Sequence, residues 1–190
     1  MQVNIVPEDY ARQIKRWLSE DPMRMQALLL ASGLGLPDWC LAAGFVRNLV
    51  WDKLHQLPFS TELDDIDLIY FDPINTDPCI DSDLTQRLQQ QSSLPWSVKN
   101  QARMHSRNFD APYRSTADAM SYWVELETAI GARLNALGEI ELVSPFGVGS
   151  LFSFTVTLNG KRPKPEAFYS RLSTKHWLQN WPLLRVSEEA

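Results

Sequence analysis

Ile14, Trp17 and Leu18 recur at helical spacing within an otherwise polar stretch, and Asp21-Pro22 supplies an N-cap with proline in the first turn ahead of Met25, Leu28 and Leu29. Residues 8–31 are therefore expected to form two short helices. Gly33, Gly35 and Pro37 punctuate the chain, and the apolar run 39–43 reads as a buried strand that Gly44 ends. Val46, Leu49, Val50, Leu54 and Leu57 then predict a helix of about three turns packed on a sheet. After Pro58 the stretch 65–71 reads as a strand, with Ile66, Leu68 and Tyr70 on one face and Asp65, Asp67, Ile69 and Phe71 on the other. Asp77-Pro78 restarts a helix striped by Ile80, Leu84 and Leu88.

Farther along, alternation of Val98, Asn100, Ala102 and Met104 predicts a strand over 96–105, which would set Lys99, Gln101, Arg103 and His105 on one face. Ser115 and Asp118 suggest a capping box for a helix running to Glu125, and 128–134 with 139–143 read as a hairpin around Asn135 and Gly138. The run 151–158 alternates like a strand, and the tail holds a basic loop at 161–164 and a helix over 166–179. The expected class is α/β (mixed α+β), a mixed sheet with flanking helices. Its layout is a helical lead-in at 1–36, a core at 37–160 and a basic helical extension at 161–190 packed on that core as one domain.

Composition changes this picture little: 44% hydrophobic and 22% charged residues describe an ordinary folded protein. The first thirty residues hold no long apolar run, so neither a signal peptide nor a membrane span is expected, and a cytoplasmic location is the default. Charge matters more. The net charge of -5 disfavours a broad nucleic-acid face, yet eight acids and no base lie between Thr61 and Asp83, and six Lys and Arg against three acids follow Gly160. Cys40 and Cys79 are expected to be buried free thiols, and His55, His105 and His176 show no zinc-ligand spacing.

Two stretches carry candidate chemistry. Asp65 and Asp67, two apart on a strand, would project from one face with about 7 Å between their Cα atoms. Carboxylates so placed repel each other, and hard Mg²⁺, or Mn²⁺, relieves that while taking further oxygen ligands from phosphates. A strand that ends at Gly44 and turns into a helix offers backbone N–H groups and the positive end of the helix dipole to an anion, with Arg47 in the first turn. Each feature alone also fits a blander role, the acids solvating a strand entrance and the arginine lying on a surface turn. Together, in consecutive elements, they point to a phosphate and metal site. Walker-type and Rossmann-type glycine loops are absent.

The segment Ala43-Gly44-Phe45-Val46-Arg47-Asn48, with Asp65-Ile66-Asp67 about twenty residues on, resembles the Gly-Gly-x-Val-Arg-Asp and Asp-x-Asp arrangement of the DNA polymerase beta-like nucleotidyltransferase superfamily, particularly its tRNA nucleotidyltransferase branch. More closely, Gly44 to Asn48, Asp65 to Asp72, Lys99 to His105 and Pro145-Phe146-Gly147 look like the bacterial nucleotidyltransferase-like family. The resemblance implies a polymerase beta-like core and Mg²⁺-dependent transfer of a nucleoside monophosphate from an NTP, with pyrophosphate leaving. It implies metal binding by Asp65 and Asp67 and nucleotide binding by Gly44, Arg47, Asn48, Lys99 and Arg103. Glu141 is the candidate third carboxylate. Ala43 and Asn48 depart from the tRNA-type motif, where glycine and aspartate stand. Negative net charge and the lack of the long helical tail of tRNA-type enzymes favour a small-molecule or protein acceptor over RNA, with no DNA or membrane partner. The alternative is a catalytically silent module that binds NTP and metal.

Overall fold

The computed structural model describes residues 7–188; the first six residues of the expected lead-in and the last two of the tail lie outside the described residues. The lead-in forms α1 (Pro7–Ser19) and α2 (Pro22–Ser32), the second capped by Asp21, whose carboxylate accepts from the Arg24 N–H. Strand β1 (Cys40–Ala42) passes through Ala43 into α3 (Gly44–Leu54), and β2 (Ile66–Tyr70) is joined by α4 (Pro78–Gln91) to β3 (Trp96–Asn100). A hairpin of β4 (Gly131–Leu134) and β5 (Ile140–Val143) completes a five-stranded sheet of order β3-β2-β1-β4-β5. Within this sheet only the β2/β3 pair is parallel, with α4 as its crossover, whereas β1 and β2 run antiparallel although α3 lies between them.

The period-two pattern decides which face is buried. Leu41, Ile66, Leu68, Val98 and Ala132 point into the main core, against Ile14, Leu18, Leu28, Phe45, Leu49 and Leu88 of the helices. The opposite face is mixed: Cys40, Ala42, Ile69 and Val143 pack beneath Met120 and Ala129, leaving Asp67 with its register partners Ala42 and Ser97 beside them.

The tail forms α7 (Pro165–Thr174), a short α8 (Trp177–Asn180) and β7 (Arg185–Ser187), which pairs in parallel with β6 (Thr155–Thr157). Trp177, Trp181 and Phe168 of this unit close over Trp51 of α3. Helix α3 is consequently buried on both sides over residues 45–52, which a single apolar stripe did not anticipate. No helix of the described residues is long and apolar enough to cross a membrane.

Several local expectations are corrected. The strand expected over 96–105 stops at Asn100, whose side chain accepts from the Ala102 and Asp72 N–H groups and turns the chain into a 3-10 segment and α5 (Met104–Asn108). Lys99, Gln101, Arg103 and His105 therefore do not share a face. The Ser115 cap forms, with its hydroxyl 3.0 Å from the Asp118 N–H, but α6 (Thr116–Met120) ends five residues early. Within 151–158 only β6 is extended. The tail helix breaks at His176, which adopts φ 52°. Cys79 is exposed in the first turn of α4, whereas Cys40 is buried.

Ala43 takes φ 56° and ψ -123°, a region suited to glycine. Ala43→Gly is expected to stabilise the protein by about 1 kcal/mol, since relief of strain outweighs the added chain entropy. Urea unfolding checks it, and a lower midpoint would contradict it.

Candidate active site

Because β1 runs straight into α3, the start of that helix lies at the end of the sheet beside the entry of the antiparallel β2. Asp65 stands exposed just before β2, and Asp67 is half-buried one residue inside it. Both line a cavity of about 350 Å³ whose other walls include Gly44, Arg47 and Asn48. The site expected from the two sequence stretches is thus assembled in one place.

Each side chain is held by identifiable partners. No side chain caps α3; the Val46 and Arg47 N–H groups donate to the Ala43 carbonyl, which leaves those of Gly44 and Phe45 to face a ligand. Arg47 is only 6% exposed, unlike the surface arginine of the blander reading. Its Nη1 donates to Thr128 Oγ1 at 2.8 Å and its Nη2 to Asn48 Oδ1 at 2.9 Å, while its Nε is buried without a partner. The guanidinium lies 5.1 Å from the Trp51 ring centroid and 4.6 Å from that of Trp177. Burial pulls it down to about 10, with Glu125 opposing, so it remains a cation at neutral pH. Asn48, where the tRNA-type motif has aspartate, orients this arginine without neutralising it.

Asp67 is shifted the other way. Burial, then the charge of Asp65, pushes its carboxyl up to about 6, against the pull of a Ser97 hydrogen bond and of Arg47 and Arg171. This is the repulsion that a divalent cation relieves. Among the described residues no three His, Cys, Asp or Glu gather into a metal cage. The donor set of two carboxylates fits Mg²⁺, which keeps waters and takes further ligands from substrate phosphates.

The tail supplies what the sequence pattern left on a solvated helix face. Arg171, Lys175, His176, Trp177 and Trp181 all line the cavity, and Lys175 Nζ lies 3.3 Å from Asp64 Oδ2. Their arrival there depends on the break at His176 and on the packing of Trp177 and Trp181 against Trp51.

Three expected site residues lie elsewhere. Glu141 sits on the edge strand β5, three strands from β2, where its carboxylate accepts from Arg133 Nε at 2.9 Å. Arg103 is committed to Asp81 of α4, which also accepts from Tyr70. Lys99 is exposed on the Asp67 face of β3, on a separate cavity. The acid beside Asp67 is instead Glu125, 1% exposed, bound by Arg171 Nε at 2.7 Å with its second oxygen buried and unpartnered. Glu125 and Asp67 share the wall of a cavity of about 230 Å³ with Thr128 and Trp123. The available signal was Glu125 and Glu127 alternating with Val124, Leu126 and Thr128 in an apolar surrounding.

Comparisons with known proteins point to one family. Residues 30–186 match a family model described as nucleotidyltransferase. An NMR structure described as a CCA-adding enzyme head domain aligns with a TM-score of 0.78 at 33% identity, over 94% of this chain and 96% of that one. A CCA-adding enzyme in complex with CTP aligns with a TM-score of 0.61 at 13% identity, over 92% of this chain and 43% of that one. A tRNA-processing enzyme complex gives 0.54 at 15%, over 85% and 43%. The last two show a shared fold alone, and this chain spans less than half their length. No match was found among curated proteins. With a helix-start turn and a carboxylate pair facing one cavity, and a family match over most of its length, the chain belongs to the nucleotidyltransferase family.

Proposed function

We infer that the protein transfers a nucleoside monophosphate from an NTP to an acceptor hydroxyl, releasing pyrophosphate. The observation that carries this reading is one cavity with Asp65 and Asp67 on one wall and the start of α3, Arg47, Arg171 and Lys175 on the others. Asp65 and Asp67 would hold Mg²⁺, which neutralises developing charge on the phosphate oxygens. The Gly44 and Phe45 N–H groups and the Arg47 side chain bind and orient the triphosphate; the Trp51 and Trp177 rings fix Arg47, so little side-chain entropy is lost on binding. Glu125, which shares a cavity wall with Asp67, would take the acceptor's proton in place of Glu141. The acceptor is a small molecule or a protein side chain, in a cytoplasmic setting. Supporting this over RNA, the basic loop of the tail is occupied: Arg162 and Lys164 pair with Asp110, and Lys161 with Ser121 and Asp118.

Gly44 separates binding from folding. A methyl group there would lie 3.4 Å from Asn48 Oδ1 and 3.5 Å from Arg47 Nη2, which the fold tolerates. Gly44→Ala is expected to leave stability unchanged or raise it by up to about 1 kcal/mol, while weakening NTP binding at least tenfold. Unchanged affinity by calorimetry would remove this turn from the phosphate site.

Transfer itself is tested by incubating the protein with each α-labelled NTP, Mg²⁺ and fractionated cell extract. A labelled small-molecule or protein product supports the reading. Metal-dependent NTP binding with no product and no pyrophosphate in any fraction would show a silent binding module instead.

A further inference from the structure

Asp67 borders a third cavity, of about 310 Å³, on the side away from Gly44. The phosphate cavity meets Asp67 of β2 and Asp65 just before it, beside β1. The third cavity meets β2 at Asp67 and Ile69, beside β3. Its polar lining includes Lys99, Gln101, Arg107 and Asn108, with Trp123 as the aromatic surface and Asp67 as its single carboxylate. Neither Lys99 nor Arg107 has a carboxylate partner among the described residues, whereas Arg103, close by in sequence, is paired with Asp81.

We propose that this cavity is the acceptor subsite and takes a small hydroxyl compound bearing a phosphate. The inference rests on the reading of the Gly44 cavity as the triphosphate site. Displacement at phosphorus requires attacking and leaving oxygens on roughly opposite sides of the transferred group. With the triphosphate held at the Gly44 turn, the attacker comes from the far side of Asp67. There two unpaired cations seek an anion, and the face of Trp123 receives a ring. In the step, the acceptor oxygen bonds to the α-phosphorus as the bond from that phosphorus to the bridging oxygen breaks. The electron pair leaves with pyrophosphate, and the hydroxyl proton passes to Glu125, which lines the adjoining cavity of about 230 Å³ that shares Asp67 and Trp123 with this one. The cavity's size and its two cations suit one phosphate, not a tracked polynucleotide backbone.

The test uses ¹⁵N-labelled protein saturated with Mg²⁺ and an α,β-methylene NTP, titrated with ribose 5-phosphate and, in parallel, with ribose. Saturable shifts of the Trp123 indole and of the Gln101 and Asn108 amides are expected for the phosphate alone. Lys99→Ala with Arg107→Ala should weaken that response at least tenfold and leave the NTP dissociation constant within twofold. No shifts, equal shifts with ribose, or an unaltered response in the double variant would overturn the subsite. So would label entering an RNA or protein fraction in place of a phosphorylated small molecule. Repeating the titration without nucleotide distinguishes the two readings. A phosphate response in a protein that fails to bind NTP refutes only the Gly44 reading, and bound NTP with no phosphate response refutes only the subsite.

Discussion

Asp67→Asn is expected to lower nucleotide transfer at least about a hundredfold, the scale on which loss of one principal charge-stabilising group acts, and at the same time to raise the stability of the metal-free protein above pH 6. The second half follows from the raised carboxyl. Its folded value near 6 exceeds the unfolded value of about 3.9, so the native state binds the proton more firmly. The stability contributed by neutral Asp67 is fully present below about pH 4 and is lost as pH rises through 6. Asparagine cannot ionise, so the variant should melt above wild type at pH 8 and alongside it at pH 4. Saturating Mg²⁺ should restore the wild type and not the variant, because only the wild type binds it in the folded state. Asp65→Asn should match the loss of transfer. Normal transfer by either variant, or a melting offset independent of pH, would remove that carboxylate from the metal site.

Asp52→Ala is expected to produce the largest loss of stability, about 3 kcal/mol or more. Asp52 is 4% exposed and its carboxylate accepts three hydrogen bonds, from the Thr61 N–H (2.8 Å), the Thr61 hydroxyl (2.6 Å) and Trp181 Nε1 (2.9 Å). It joins α3, the segment leading to Asp65, and the tail. Removing it leaves the buried indole N–H without an acceptor and releases two walls of the phosphate cavity together. NTP affinity should therefore fall with stability, although Asp52 does not line the cavity. Urea unfolding and calorimetry check the two effects. Stability within 1 kcal/mol of wild type would contradict the stated role.

Both residues show where sequence pattern is informative and where it stops. The alternation in β2 and the Gly44 break report on local backbone and on one adjoining face, so β1, α3, β2 and the hairpin were legible, as were the carboxylate pair and the helix-start turn. Arg47 was not legible as buried, because its burial depends on Thr128, 81 positions away, and on the tail residue Trp177. Glu125 read as the end of a helix because its ion-pair partner, Arg171, lies in the tail. Glu139, Glu141 and Val143 alternate within their own hairpin, but alternation carries no information on how far a strand lies from β2 in the sheet. Charged residues buried through distant partners carry the same local pattern as exposed ones.

The central claim is that Asp65, Asp67 and the start of α3 together form a metal-dependent triphosphate site, and calorimetric titration with an α,β-methylene NTP tests it most directly. Wild type should bind with Mg²⁺ at least tenfold more tightly than with EDTA, and the Asp65→Asn, Asp67→Asn double variant should lose that metal dependence. Equal affinity with and without Mg²⁺, or undiminished metal-dependent binding in the double variant, would contradict the account.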